Sequence, residues 1–403
     1  MNLLLQYSYR NAIENAEFFV AGPFMKRAAL CKFFVLSMLI LAFFGVIGLV
    51  VLAAMQWVTR RSFGQNSGSK QGIGHEDASR LGGAVIGAGI VLGILSAIYT
   101  GSAALESGSY LWGWVAIGLC GLLGLIEDFD NNLLSPKFRL ACISGIFGLL
   151  FIKVPELIPS QFNYAPIDAF MAQPTLSIFI TVLFSLGFIN AVNMSDGANG
   201  LVPGITFIAF AIFSRVATDF AWVWVIAMFV LGVFLVFNVF SGRLFLGDGG
   251  AYLLGSILLL GSFNFFNGGI IGPWFLAVLF AYPCIEMVVS LVRRLYEGRS
   301  PFLPDNDHFH NRLHRFLQSR VKSRVMANSG TGLLIVMSTS GVAGAGYYFD
   351  LMSLTDNRWV YVFIAISLCQ LVTYAFIGHV DQRFTQHEVK LSKKPMIQGW
   401  PVD

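Results

Sequence analysis

Apolar stretches of roughly 17–25 residues, each long enough to cross the hydrocarbon core of a bilayer, recur along this chain from residue 33 to residue 378. They fall at 33–58, 81–99, 110–126, 138–152, 175–192, 201–214, 221–238, 251–266, 270–292, 330–349 and 359–378. The pattern predicts an all-α, polytopic integral membrane protein with ten or eleven transmembrane helices. Four short polar segments interrupt it: Glu127-Asp128-Phe129-Asp130, Asn190 to Gly197, Phe245 to Gly250, and Pro304 to His310. Carboxylates beside lipid are costly to desolvate. These segments therefore mark places where water, a metal or a substrate compensates.

Composition sharpens the class. Hydrophobic residues make up 56% and charged residues 12% of the chain, against a usual charged share of about 25%. A soluble helical domain would need far more polar surface. The five cysteines (Cys31, Cys120, Cys142, Cys284, Cys369) sit in apolar context without paired spacing, as small hydrophobes do, and predict neither disulfides nor a zinc site.

The net charge of +4 says less than its distribution. Nineteen of the 26 Lys and Arg residues fall in 59–80, 127–139, 193–200, 239–250, 293–328 and 379–403. The positive-inside rule places those segments in the cytoplasm, with every polar motif on that same side. The expected organisation is an N-terminal extension (1–32) without the pattern of a signal peptide, a transmembrane catalytic domain (33–378) and a cytoplasmic tail (379–403). A start at Met25 would give a neater beginning before the first span. The first five cytoplasmic segments, 59–80 to 293–328, are the expected active-site loops.

Each motif has its own chemistry. In Phe245-Leu246-Gly247-Asp248-Gly249-Gly250, an acid among glycines lets backbone and carboxylate approach a phosphate or Mg²⁺; a turn acid capping the next helix is the plainer reading. Asn238 puts an amide at the end of the preceding span. Asn190, Asn193, Asp196 or Gly197, and Gly200 recur at three- and four-residue spacing and share a helical stripe. That stripe suits a sugar, a base or a phosphate, or else hydrogen bonding between helices. Glu127 and Asp128 repel unless a divalent cation or a cationic neighbour lies between them, or one stays protonated. His308 and His310 lie in a loop with Arg293, Arg294 and Arg299, a combination that suits a cradle for a diphosphate better than a zinc site. Arg320, Lys322 and Arg324 read as contacts for anionic headgroups of membrane lipids.

In this order the motifs resemble the polyprenyl-phosphate N-acetylhexosamine-1-phosphate transferase superfamily, over roughly residues 33 to 314. The family's paired acids fall on Glu127 and Asp128. Its Asn-x-x-Asn-x-x-Asp-Gly run falls on Asn190, Asn193, Asp196 and Gly197, and its Phe-x-Gly-Asp-x-Gly run on Phe245, Gly247, Asp248 and Gly250. Asn238 matches its preceding Asn, and His308 and His310 its His run. Its first cytoplasmic loop resembles His75, Arg80, Gly82 and Gly83. Glu127 replaces the commoner Asp, Asn311 a third His and Ala251 a Ser. These variants resemble the branch that initiates O-antigen and other surface polysaccharides.

The resemblance implies transfer of a sugar 1-phosphate from a UDP-N-acetylhexosamine to undecaprenyl phosphate, with release of UMP, at the bacterial inner membrane. It implies Mg²⁺, with Mn²⁺ as the alternative, on Asp248 and Asp196. Glu127, Asp128 and Asp248 are the expected catalytic residues. Asn190, Asn193, Asp196, Gly197, Asn238, His308, His310, His75 and Arg80 are expected to bind substrate, and Lys137 and Arg139 the lipid phosphate. Glu286, an acid within a span, is expected to support the site. No nucleic-acid partner is expected, and a homodimer is an allowed assembly. A transporter or flippase, or a structural membrane scaffold, is the alternative from another class.

Overall fold

The computed structural model describes residues 48, 50, 51, 53–58, 78–99, 108–129, 133–160, 162, 164–217, 220–300 and 307–392, with backbone alone at 108–110 and 380–392. Among these residues every named element is a helix, and no strand is formed beyond an isolated bridge. The helices are α1 (Gly82–Tyr99), α2 (Gly108–Phe129), α3 (Pro136–Lys153), α4 (Ala165–Met171), α5 (Pro174–Ser195), α6 (Leu201–Val216) and α7 (Ala221–Ser241). They continue with α8 (Gly247–Asn267), α9 (Pro273–Leu279), α10 (Ala281–Tyr296), α11 (Phe309–Gln318), α12 (Arg324–Ser338), α13 (Ser340–Tyr348) and α14 (Trp359–Ser392).

Six helices are long and apolar enough to cross a membrane, or eight if each of two bent pairs is one span. The protein is polytopic, as expected, with fewer clear spans among the described residues than the pattern predicts. The 33–58 stretch lies largely outside those residues. Helix α3 carries Lys137, Arg139 and Lys153, and α6 has only 16 residues.

Helix α8 is the axis of the bundle. Its apolar window is 89% buried, against 11% for α14 at the periphery. Glycines let its neighbours come close, as suits packing in lipid. A Cβ on Gly124 of α2 would overlap the Asp248 carbonyl, and one on Gly83 of α1 would overlap the Gly250 backbone. Leu111, Leu122, Leu149, Phe179 and Val236 are exposed on outward faces, where lipid solvates them.

The 270–292 stretch, expected as one span, is broken: α9 and α10 meet at a bend of 78°. Pro283 is the local cause, since it has no N–H for the Leu279 carbonyl and its ring crowds that group. Ser340 Oγ donates to the Leu279 carbonyl at 2.6 Å. Ser340 is itself the first residue after the break between α12 and α13, a pair bent by 49°. The two discontinuities are thus bolted together, and a carbonyl freed inside the membrane finds its donor.

Candidate active site

The first turn of α8 collects the acids. Asp128, fully buried near the end of α2, accepts from the backbone amides of Asp248 at 2.9 Å and Gly249 at 2.7 Å. First-turn amides have no partner within their own helix, so the Asp128 carboxylate caps α8 where its dipole favours negative charge. Gly247 makes this approach possible. It has φ +75°, and a Cβ there would lie 2.6 Å from Asp128 Oδ2.

Arg80 arrives from a different direction. Ser79 N donates to the Arg243 carbonyl (3.0 Å) and Phe245 N to the Ser79 carbonyl (2.7 Å), a short parallel bridge between the segments that enter α1 and α8. Gly82 and Gly83 extend it, donating to Phe245 and Leu246. Arg80 Nη2 consequently lies 3.0 Å from Asp248 Oδ1 and 3.4 Å from Asp128 Oδ1. On the other side, Arg139 Nη1 lies 3.1 Å from Asp248 Oδ2 and 3.8 Å from Glu127 Oε1. Glu127 Oε2 also accepts from Leu134 N at 3.2 Å. The repulsion expected between Glu127 and Asp128 is therefore relieved by cationic neighbours and backbone amides.

Asp196 joins the group from the end of α5. The Gly247 amide donates to it. Burial pushes its carboxyl up to about 7, opposed by Arg80 and reinforced by the charges of Asp248 and Asp128. One turn earlier, Asn193 has a buried Oδ1 with no hydrogen-bond partner. Asn190 instead donates to its own helix at Leu186 (2.7 Å).

The histidines reach the same turn. His310 lies against Gly197 so closely that a Cβ there would overlap its Nε2. Its ring stacks with His308, centroids 5.4 Å apart and planes at 12°. Burial, reinforced by the neighbouring imidazoles of His308 and His314, holds His310 well below the ordinary histidine value, so it is neutral near pH 7.

Several expected residues occupy other places. Asn238 is committed at both ends of its amide to the backbone, accepting from Gly200 N (2.6 Å) and donating to the Leu244 carbonyl (2.7 Å). It joins the turns that present Asp196 and Asp248. Two of the arginines expected in the cradle are paired within the protein: Arg293 with Asp307 at 3.0 Å and with Tyr374 at 2.7 Å, and Arg299 with Glu297. Lys137 is exposed, and His75 lies outside the described residues. The sequence reading missed Asn199, Asn328 and Ser329. Asn328 Oδ1 accepts from Asn199 N (3.0 Å), and Ser329 Oγ lies between Asn199 and the Val239 carbonyl, bracing the 196–200 turn. Asn199 sits inside the Asp-Gly-Ala-Asn-Gly run, which was the available signal; α12 carries none.

Magnesium takes hard oxygen ligands in octahedral geometry and completes its shell with waters and substrate phosphates. Asp248, Asp196 and the unpartnered oxygen of Asn193 have the right chemistry. Among the described residues no group of three or more His, Cys, Asp or Glu is arranged to hold a metal by itself. A metal at these donors would need its remaining ligands from water or a substrate.

Residues 110–265, which contain the paired acids, the Asn run and the α8 turn, match the model for glycosyl transferase family 4. The Thermotoga maritima undecaprenyl-phosphate α-N-acetylglucosaminyl 1-phosphate transferase is 27% identical over 259 residues, 62% of this chain and 79% of that protein. Over this segment the chain is similar to polyprenyl-phosphate N-acetylhexosamine-1-phosphate transferases. The Escherichia coli K12 protein of the same name as the Thermotoga maritima one shares 30% identity over 211 residues, 49% of this chain and 56% of its own. A phospho-N-acetylmuramoyl-pentapeptide-transferase from Levilactobacillus brevis shares 26% over 241 residues, 56% of this chain and 72% of its own. Arg80 lies ahead of the matched segment and the histidines follow it. Both are carried to the matched core by the bridge at Ser79 and the contact at Gly197.

Proposed function

We propose that this protein moves an N-acetylhexosamine 1-phosphate from a UDP-linked donor to undecaprenyl phosphate and releases UMP. One observation carries the reading: Arg80, Asp128, Arg139, Asp196 and Asp248 converge on the first turn of α8 although they lie far apart in sequence. The relatives' names pair a polyprenyl phosphate with an N-acetylhexosaminyl phosphate in the same way.

In the reaction, an oxygen of the lipid phosphate forms a bond to the sugar-linked phosphorus. The bond from that phosphorus to the bridging oxygen breaks, and UMP leaves with the electron pair. Joining two anions requires positive charge and alignment. Arg80 and Arg139 supply fixed guanidinium charge at the membrane edge. Magnesium, or Mn²⁺ in its place, held by Asp248 and Asp196, would offset diphosphate charge and favour UMP departure. Asp128 holds the α8 N-terminus toward the site, where its remaining positive end favours phosphate. Glu127 fixes the segment that leads into α3, the helix that carries Arg139. Asn193 and the histidines are placed to contact the donor.

Direct displacement is the favoured course, because a positioned lipid phosphate is already a competent nucleophile. The basic loops support a site on the cytoplasmic face of the inner membrane, and Glu127, Asn311 and Ala251 support the branch that initiates surface polysaccharides such as O-antigen. The test is incubation of purified protein with undecaprenyl phosphate, Mg²⁺ and a panel of UDP-amino sugars, followed for UMP. Broken helices are also a transporter device, and the two bent pairs favour a flippase as second reading. Movement of a lipid-linked substrate without UMP release would support that reading.

A further inference from the structure

Helix α10 lines up Tyr282, Glu286 and Ser290 at four-residue spacing, so the three share one face, and all are buried. That face meets the two histidines. Glu286 Oε1 lies 3.0 Å from His308 Nδ1, and it accepts from Ser290 Oγ at 3.1 Å and from Phe309 N at 3.3 Å. Ser290 Oγ is itself 3.2 Å from His308 Nδ1. One helical turn away, Tyr282 OH lies 2.7 Å from His310 Nδ1. The bend at Pro283 aims this face, and Ser340 fixes the bend.

A histidine's two nitrogens are not equivalent: the bond made by one sets the role of the other. We propose that Glu286 and Tyr282 are positioning residues that fix His308 and His310 in opposite tautomers for binding the sugar-nucleotide donor. Glu286 accepts the Nδ1–H of His308, which leaves a lone pair on Nε2 in the uncharged ring. Tyr282 donates to Nδ1 of His310, which leaves an N–H at Nε2 beside Gly197. The stacked pair then offers one acceptor and one donor side by side. That matches a ligand presenting a hydroxyl next to an anionic oxygen, as a ribose or sugar hydroxyl lies beside a diphosphate. The inference rests on the donor site proposed above. Ser290 completes the set by donating to Glu286 and keeping its carboxylate in place.

The test compares Glu286→Ala, Glu286→Gln and Tyr282→Phe in the full-length protein, with UDP-N-acetylhexosamine and undecaprenyl phosphate varied separately. Removing the partner that orients a ligating histidine typically costs roughly 10–100-fold. Glu286→Ala is expected to raise the donor KM by about that factor and leave the acceptor KM unchanged. Glu286→Gln, which keeps an acceptor oxygen, should restore most of the loss. In parallel, ¹⁵N-histidine spectra of the unliganded protein should show the proton on Nδ1 of His308 and on Nε2 of His310, with His308→Asn and His310→Asn assigning the signals. A wild-type donor KM in both Glu286→Ala and Tyr282→Phe would overturn the inference. So would equal defects in Glu286→Ala and Glu286→Gln that raise both KM values alike, or like tautomers in the spectra. If the wild-type protein releases no UMP from any UDP-amino sugar, the proposed function fails, while the spectra still decide the tautomers.

Discussion

Gly249 donates its backbone amide to Asp128 Oδ2 across 2.7 Å, which ties the last turn of α2 to the first turn of α8. An acid expected to act on substrate is thereby also the cap of the helix that presents Asp248. Catalytic geometry and helix termination share one side chain, so Asp128→Asn should impair both. An amide offers one acceptor oxygen where the carboxylate offers two, and its NH₂ would face the Gly249 N–H. Loss of a helix cap costs about 0.5–2 kcal/mol, and loss of one preorganised charge costs on the order of 10²–10³ in turnover. Thermal unfolding in detergent together with UMP release checks both figures.

Gly247 has a different sensitivity. Its φ of +75° and the space between Arg80 and Asp128 exclude a side chain. Gly247→Ala should destabilise the protein by about 1–3 kcal/mol through backbone strain and displace Asp128. The expected result is a lower unfolding midpoint with turnover lost.

The break in the membrane predicts a coupling. Ser340→Ala leaves the Leu279 carbonyl without its donor, at a cost of about 1–3 kcal/mol for a buried unsatisfied group. Pro283→Ala restores an N–H that can reach the same carbonyl within the helix. The double variant should therefore lose less than the sum of the singles. A double-mutant cycle on unfolding midpoints measures this; additive losses would count against the account.

Which features were legible in the sequence follows from what sequence encodes locally. Asp128, Asp196 and Asp248 could be placed together because each lies at a span end on the basic side. The side chains' division of labour could not be read. Asn238 and Asn190 carry the motif's amides, yet their partners are Gly200, Leu244 and Leu186. The bend at Phe280 was hidden because hydropathy is continuous across it, although Pro283 is its signal. The pairing of Arg293 with Tyr374 could not be read locally, because the two lie 81 residues apart. The Glu286–His308 pair spans 22 residues and two helices, so no periodicity announces it.

Asp307 provides a pH dependence. Burial raises its carboxyl, but the Arg312 hydrogen bond and the charges of Arg312, Arg293 and Arg315 outweigh this and hold it below its ordinary 3.8. A depressed acid contributes stability above its unfolded value, and that contribution is lost as pH falls from 3.8 through the lower folded value. Its partners lie on α10 and α11, and Arg312 also stacks on Tyr374 of α14, its guanidinium carbon 4.1 Å from the ring centroid. Asp307→Asn should lower the unfolding midpoint at neutral pH, and the gap from wild type should close on acidification below pH 3.8.

Asp248 is the residue on which both guanidiniums meet, and turnover of Asp248→Asn beside wild type in undecaprenyl phosphate proteoliposomes with Mg²⁺ is the most direct measurement. Wild type should release UMP from a UDP-N-acetylhexosamine in step with a lipid-linked product. Asp248→Asn should insert and fold with turnover abolished. Full turnover in Asp248→Asn would contradict the account.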